Sequence, residues 1–378
     1  MLHVITRLMR VSLILSISLI FPLLQGYAHH VQAARNPLFL QLGDDFGGDI
    51  FSYTPTVGLK NLTVYGYNGV PILSPDGKTI AYSSYAQTYV QEQFGGNFRS
   101  GPPSINIWVM DAASGNAKRI ASQPTDNRAP GEARIRPFIT RSDPRWSPDG
   151  QYLAWMEQAE GTNDRETDQN EHLMLYKLSS DQTKEIYKQD PGGIGSAPPV
   201  EWNALGISII TVKAATKPVV LRILNPTGKV QSEIELGTEP VQAQWLDGES
   251  SPTLITTNNL ITLTDNGHAI TLPPLEIYSL SAPDGLCLVS DAGYFNSEWS
   301  LVVAGKSPLA IGKLNSYAIS PEGTMAAYIP ADGLSLSVFD GKKISKVGLG
   351  GIKVNHVSQL QASGLAWSAL GIRLQTGQ

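Results

Sequence analysis

Cysteine is almost missing from this chain: Cys287 is the only one in 378 residues. One thiol cannot staple anything internally, so stability has to come from packed secondary structure. In Leu286-Cys287-Leu288-Val289 it reads as a small core side chain rather than a nucleophile. Charge is also sparse, 16% of residues with a formal net charge of −5. That mild acidity sets aside nucleic acid and anionic lipid as main partners. Histidine is thin as well. Beyond residue 33 only His172, His268 and His356 remain, in no metal-ligand spacing. Asp164, Glu166, Asp168 and Glu171 lack the glycine turn and terminal glutamate of a calcium loop, and read as a solvated insertion. No Gly-x-Ser-x-Gly occurs, which removes the serine-hydrolase elbow. Gly305-Lys306-Ser307 ends like a phosphate-binding loop, but residue 300 is Ser where that loop needs its first Gly. No cofactor and no metal are expected.

Long apolar runs are absent too, apart from one near the start. Arg7 and Arg10 precede an uncharged stretch from Val11 to Leu24, and small residues follow at Ala28, Ala33 and Ala34. This is the layout of an export signal. Residues 1–33 are read as a signal peptide cleaved after Val31-Gln32-Ala33, with Gly26-Tyr27-Ala28 as the second choice. An uncleaved anchor is the alternative. The stretch is shorter than the ~20 apolar residues that cross a bilayer, and Pro22 interrupts it. Removal of Arg7 and Arg10 leaves 26 basic against 33 acidic residues, a net charge of −7. The mature chain, 34–378, is expected to be periplasmic or secreted, and to touch a membrane only through an uncleaved leader.

What is present in quantity is a turn. Ser74-Pro75-Asp76-Gly77 recurs as Ser147-Pro148-Asp149-Gly150, Ala282-Pro283-Asp284-Gly285 and Ser320-Pro321-Glu322-Gly323. Fainter copies end at Gly206, Gly248 and Gly371. Ser bonds the local backbone, Pro presets φ, Asp tolerates the third position, and Gly takes the positive φ that closes the bend. Apolar runs flank each turn, as Ile72-Leu73 and Ile80-Ala81-Tyr82 do the first. Repeated hairpins at this spacing predict an all-β chain, a β-propeller of four-stranded blades forming one domain. Seven blades are favoured, with six as the competitor because the fourth is short.

The seventh anchor lies near the carboxyl end, where Leu365 to Ser368 and Ile372 to Gln375 supply only two strands. The missing two are expected before the first anchor, as Asp49 to Tyr53 with Leu62 to Tyr65 as its rim partner. The two chain ends would then share one blade and shut the ring. Trp146, Trp202 and Trp367 stand four residues before their glycines and read as packing between blades.

The stretch Pro144-Arg145-Trp146-Ser147-Pro148-Asp149-Gly150-Gln151-Tyr152-Leu153-Ala154-Trp155 resembles the WD40-like repeat of TolB-type periplasmic propellers, and Ile105-Asn106-Ile107-Trp108-Val109-Met110-Asp111 continues it. The resemblance covers most of the mature chain and implies the fold and an extracytoplasmic setting. TolB proteins carry an α/β domain before a six-bladed propeller, whereas only about forty mature residues precede the first anchor here, so their role is not carried over.

Loops between second and third strands, and crossings between blades, leave a propeller on one face. Three are long: 84–104, with Tyr85, Tyr89, Phe94 and Phe98; 122–143, with Arg128, Arg134, Arg136 and Arg141; and 157–171. Long loops on a rigid scaffold carry binding, and Tyr and Arg are frequent interface anchors. The reading is a non-enzymatic exported scaffold that captures a protein or peptide of the cell envelope on that face. The alternative is an enzyme or a sugar or small-ligand binder using the channel mouth, where Arg145 and Glu201 are the charged inner-strand residues.

Overall fold

The computed structural model describes residues 37–44, 46–94, 103–123, 138–160, 170–190, 198–212, 219–237, 244–246, 253–255, 260–263, 269–272, 278–281, 286–290, 298–303, 306–320, 324–354, 361–366 and 373–376. They form seven antiparallel sheets, most of them four-stranded meanders in chain order. Sheet 1 runs Ile72–Leu73, Thr79–Tyr85, Ile105–Asp111, Ala117–Ala121. Sheet 2 places Arg145–Trp146 and Phe138–Arg141 along one side of Tyr152–Glu160, followed by Glu171–Lys177 and Gln182–Gln189. Sheet 3 is Val200–Asn203, Gly206–Val212, Val219–Leu224, Val230–Gly237, and sheet 4 is Gln244–Leu246, Thr253–Ile255, Leu260–Leu263, Ala269–Leu272. Sheet 5 is Tyr278–Ser281, Leu286–Ser290, Trp299–Val303, Leu309–Gly312, and sheet 6 is Leu314–Ile319, Ala326–Pro330, Ser335–Phe339, Ile344–Gly348. Sheet 7 combines Gln361–Ala366 with Leu38–Asp44, Gly47–Thr54 and Gly58–Asn61.

Apolar residues fill both faces of sheets 1, 2, 6 and 7, because each of these is sandwiched between two others. In sheet 7 the alternation is explicit: Leu38, Leu40, Leu42, Phe51 and Tyr53 pack with Ala327, Ile329, Leu336 and Val338 of sheet 6. Their neighbours Phe39 and Ile50 point the other way, onto Leu73, Ile80, Tyr82 and Met110 of sheet 1. Sheet 1 repeats this toward sheet 2, through Ala81, Ile107 and Val109 against Leu153, Trp155 and Tyr176. Ala154, Met156, Leu173 and Leu175 then meet Ile207, Ile209 and Leu224 of sheet 3. Sheets 5 and 6 join through Leu288, Trp299 and Leu301 against Ile319, Ala326 and Phe339. Each fully buried Leu or Ile is worth about 1.5–3 kcal/mol, so these seams hold the sheets in order. Face-to-face stacking of successive four-stranded meanders is the β-propeller arrangement.

The turns work as expected, with one addition. Ser147 accepts the Tyr152 backbone N–H at 2.9 Å and donates to Asp149 at 2.6 Å, while Asp149 accepts the Gln151 N–H at 3.0 Å. Ser74 and Asp76 do the same for Thr79 and Lys78. The aspartate thus orients the serine as well as tolerating the bend. Gly77 and Gly150 stand at φ 72° and 69°. Trp146 and Trp202 are seam residues, Trp146 donating its indole N–H to the Ile72 carbonyl at 3.1 Å. Trp367 lies outside the described residues, as do the signal segment, the turns at 282–285 and 321–323, and the side chain of Cys287.

Four expectations are corrected. The amino-terminal part supplies three strands to sheet 7, and the carboxyl-terminal part supplies one, with Phe39 opposite Ala366 and Leu40 opposite Leu365. Leu38–Asp44 was missed because it turns on Asp44-Asp45-Phe46-Gly47 and carries no Ser-Pro-Asp-Gly. The last strand, Arg373–Thr376, pairs with Tyr278–Ser281 of sheet 5, not with Gln361–Ala366. The rim strand of sheet 7 is Gly58–Asn61, because Gly58 opposite Thr54 closes a tight hairpin there; Leu62 to Tyr65 lies beyond it. Finally, loop 84–104 contains an α-helix, Gln87–Phe94, whose straight-chain Gln and Glu residues favour helix.

Candidate functional site: an aromatic face over sheets 7 and 1

In sheets 1 and 7 the strand directions put Phe46, the crossing 62–71, the helix Gln87–Phe94 and residues 103–104 and 122–123 at one end, opposite the first Ser-Pro-Asp-Gly turn. At that end the crossing 62–71 is stitched down firmly. Asp49, buried in sheet 7, accepts hydrogen bonds from Thr63 Oγ1 at 3.1 Å and the Gly66 N–H at 2.8 Å. Burial pushes its carboxyl up despite those bonds. Asn68 exchanges backbone hydrogen bonds with Gly48, both 2.9 Å, and its side chain donates to the Gly48 carbonyl at 2.9 Å. On the other side the Tyr85 N–H donates to the Tyr67 carbonyl at 3.0 Å, and the Gly69 N–H to the Ser83 carbonyl at 2.8 Å. Gly47 has φ +108°, and a Cβ there would sit 2.8 Å from the Asn68 oxygen. Only glycine lets the 45–47 turn press so close to Tyr67-Asn68.

The result is a cluster of four tyrosines. Tyr65 and Tyr67 meet edge to face with centroids 5.5 Å apart, and Tyr85 and Tyr89 do so at 5.4 Å. Tyr65 donates its hydroxyl to the Tyr85 carbonyl at 3.0 Å, tying the pairs together. Burial, then Tyr67, pushes the Tyr65 phenol up to about 12. Burial raises Tyr85 as well, followed by Tyr89, Asp143 and Asp44. Tyr67 is raised by burial and then Asp44. Phe46 and Val64 stand 47% and 76% exposed on the same end. Asp44 accepts the Phe46 N–H at 2.9 Å, and exposed Asp143 accepts the Ser83 hydroxyl at 2.6 Å.

Of the predicted site residues, the fold brings Tyr85, at the end of its strand, together with Tyr89 in the helix that follows, both half-buried. Phe94 is the last residue of the helix. Phe98, Arg128, Arg134 and Arg136 lie outside the described residues. Arg141 is corrected: it sits on the strand Phe138–Arg141, 5% exposed. Its guanidinium donates to Glu157 at 2.8 Å and to the carbonyls of Ile105 and Ser122, locking sheet 1 to sheet 2. Glu171 likewise leaves the solvated insertion, since it is buried and accepts from Gln189 at 2.6 Å. Sequence reasoning missed Tyr65, Tyr67, Phe46 and Val64. The alternating Tyr65-Gly66-Tyr67-Asn68-Gly69 was the available signal, for glycines between aromatics mark a fixed turn rather than a rim strand.

On the inner strands Arg145 faces Glu201 at 3.4 Å, joining sheets 2 and 3. Among the described residues no group of three or more His, Cys, Asp or Glu side chains is placed to hold a metal ion. Among them, too, no helix is long and apolar enough to cross a membrane.

No protein-family model matches this sequence, and no curated protein matches it. Solved structures do. TolB from Acinetobacter baumannii is 15% identical, with 88% of this chain and 66% of that one covered, at a TM-score of 0.41. A periplasmic gluconolactonase of Pseudomonas aeruginosa is 12% identical over 90% of this chain and all of that one, at 0.47. An acylaminoacyl peptidase of Pyrococcus horikoshii is 10% identical over 74% of this chain and 46% of that one, at 0.46. The chain therefore spans about two thirds of the length of that TolB and under half of that peptidase. At such identities no activity passes from them to this chain.

Proposed function

We propose that this chain is an exported, non-enzymatic scaffold that captures a protein or peptide partner of the cell envelope. In this reading residues 1–33 are a cleaved leader, and 34–378 form a seven-bladed ring shut by the strands of sheet 7. The observation that carries it is the aromatic face. Tyr65, Tyr67, Tyr85 and Tyr89 are held rigidly by backbone hydrogen bonds, beside exposed Phe46 and Val64. Tyrosines on a rigid frame supply contact area at little cost in conformational entropy, which is what interface anchors need. Phe94, Phe98, Arg128, Arg134 and Arg136 extend the same face in this reading, the arginines pairing carboxylates or phosphates.

The test is affinity capture from the native envelope with the full chain and with the triple variant Phe46→Ser, Val64→Ser, Tyr89→Ala. All three positions are exposed or half-buried, so the melting temperature should hold while capture is lost. Undiminished capture by a folded triple variant ends the proposal.

One observation favours a second reading, an enzyme or small-ligand binder at the channel mouth. Beside the Arg145–Glu201 pair on the inner strands, Asn203 Nδ2 and Ser208 Oγ are buried without a hydrogen-bond partner among the described residues. A sugar and divalent-cation thermal-shift screen separates the two. A ligand at ~100 times its dissociation constant stabilises by about 2.7 kcal/mol, a shift of several degrees or less in a chain of this size.

A further inference from the structure

We propose that the segment captured on the aromatic face is cationic: an extended peptide stretch carrying arginine or lysine, its charges set against Asp44 and Asp143 and its side-chain stems over the tyrosines. This rests on the reading of that face as a capture surface, and adds the chemistry of what is captured.

Charge complementarity is the first argument. The described residues around the tyrosine cluster, 44, 46–49, 62–69 and 83–94, include Asp44 and Asp49 and neither lysine nor arginine. Arg128, Arg134 and Arg136 belong to the crossing 122–143 and, in the proposed reading, meet the partner beyond the cluster. The two described arginines nearest in sequence to Asp143 are engaged elsewhere, Arg141 with Glu157 and Arg145 with Glu201. Asp44 and Asp143 both border the tyrosine cluster, each close enough to add to the rise of the Tyr85 phenol after burial and Tyr89. Asp44 pairs with Gly47, whose turn abuts Tyr67, while Asp143 bonds Ser83, whose carbonyl holds Gly69. A cation laid over the cluster meets two carboxylates, whereas an anion is repelled by both.

The aromatic geometry is the second. In each tyrosine pair the ring planes are inclined by 65°, so one ring presents its edge to the other. Tyr67 is buried, so it is half-buried Tyr65, Tyr85 and Tyr89 that can offer ring surface to a ligand, and ring faces attract guanidinium and ammonium groups. Exposed Phe46 and Val64 suit the aliphatic stems of the same side chains, which lie along apolar surface while their heads reach carboxylates. A wholly apolar peptide would strip water from the two carboxylates with nothing in return.

The probes are three fluorescein-labelled decapeptides alternating glycine with arginine, serine or glutamate, followed by fluorescence anisotropy with the full chain. The arginine peptide should bind, and added salt should weaken it. The double variant Asp44→Asn, Asp143→Asn keeps an oxygen acceptor for the Phe46 N–H and for Ser83, so it should fold as the parent does. It should weaken the arginine peptide about tenfold, one step of 1.4 kcal/mol. Equal binding of the serine or glutamate peptide, no binding of the arginine peptide, or an unchanged affinity in the folded double variant overturns the proposal. Failure here is distinguishable from failure of the face itself. Envelope capture that survives the double variant but not the Phe46, Val64, Tyr89 triple variant keeps the face and removes the cation. Capture that survives the triple variant removes both.

Discussion

The hydroxyl of Tyr65 donates to the backbone carbonyl of Tyr85, 3.0 Å away, and so pins the crossing out of sheet 7 to the last residue of a strand in sheet 1. Tyr65→Phe removes this one bond and leaves the ring. It should cost about 1 kcal/mol, the net worth of a hydrogen bond in a protein, read as a shift of the urea midpoint at unchanged slope. The alkaline limb adds a second readout. Tyr65 and Tyr176 are both pushed up to about 12 from an ordinary 10.0, chiefly by burial. Their neutral form is favoured in the fold, so that stability is complete below the unfolded value and is lost as pH rises through the folded one. Tyr65→Phe should therefore flatten the fall in stability between those two values, and remove one late-titrating phenol from the ultraviolet titration.

Ser147 both accepts the Tyr152 N–H and donates to Asp149, and the resulting bend places Trp146 in the seam with sheet 1. Ser147→Ala should cost about 1–2 kcal/mol, for the lost bond and for an N–H left without its acceptor. Gly150→Ala should cost roughly 1 kcal/mol or more, because φ is 69° there and Cβ is strained at positive φ. Chemical denaturation of the two single variants checks both. Equal stability of Ser147→Ala and the parent would reduce the motif to a sequence habit.

That motif explains how much of the molecule was legible. Ser, Pro, Asp and Gly at fixed offsets dictate a bend through their own backbone chemistry, so the strands around Ser74 and Ser147 could be placed from the sequence. Sheet 7 could not be placed as well. Its strands turn on glycine and aspartate combinations that many loops share, and its inner strand is separated from its neighbour by nearly the whole chain. The site divides the same way. Tyr85 and Tyr89 stood out because they sit in a long loop, while Tyr65 read as the end of a rim strand and Tyr67 entered no reading, because the bonds from Gly66 and Thr63 to Asp49 that fix this crossing leave no pattern in the sequence. Arg141 shows the limit most plainly. By composition it belonged with Arg128, Arg134 and Arg136, and only the position of Glu157 across the strand pair reveals it as a buried lock.

The Arg141 lock should be costly to break from one side. Arg141→Met takes the charged donor from Glu157, leaving it only the Trp155 indole N–H, and takes one donor each from the Ile105 and Ser122 carbonyls. Removing one partner of a buried pair typically costs about 3–5 kcal/mol. Burial already pulls the Arg141 guanidinium below its ordinary value, with Glu157 opposing, so the charge is held there by its partner. Glu157→Gln added to Arg141→Met should recover part of the loss, since an amide is cheaper to bury than a lone carboxylate. A double-mutant cycle in urea measures the coupling. Additive losses would mean that the two residues act independently.

The strand Gln361–Ala366 lies beside Leu38–Asp44, so the two ends of the chain are joined by hydrogen bonds rather than by sequence. If sheet 7 shuts the ring, the two carboxyl-terminal strands are unequal in weight. A chain ending at residue 372 loses only Arg373–Thr376, which adds to the side of an otherwise complete sheet 5. It should unfold cooperatively, with a midpoint near that of the parent. A chain ending at residue 360 also exposes the edge of Leu38–Asp44, where Leu38, Leu40 and Leu42 are fully buried against sheet 6. An unpaired apolar edge of that length invites pairing with another molecule. This chain should therefore aggregate or melt many degrees lower, seen by size-exclusion chromatography and calorimetry on the two truncations side by side. Indistinguishable behaviour would mean that sheet 7 stands without its carboxyl-terminal strand, and the ring would need another means of closure.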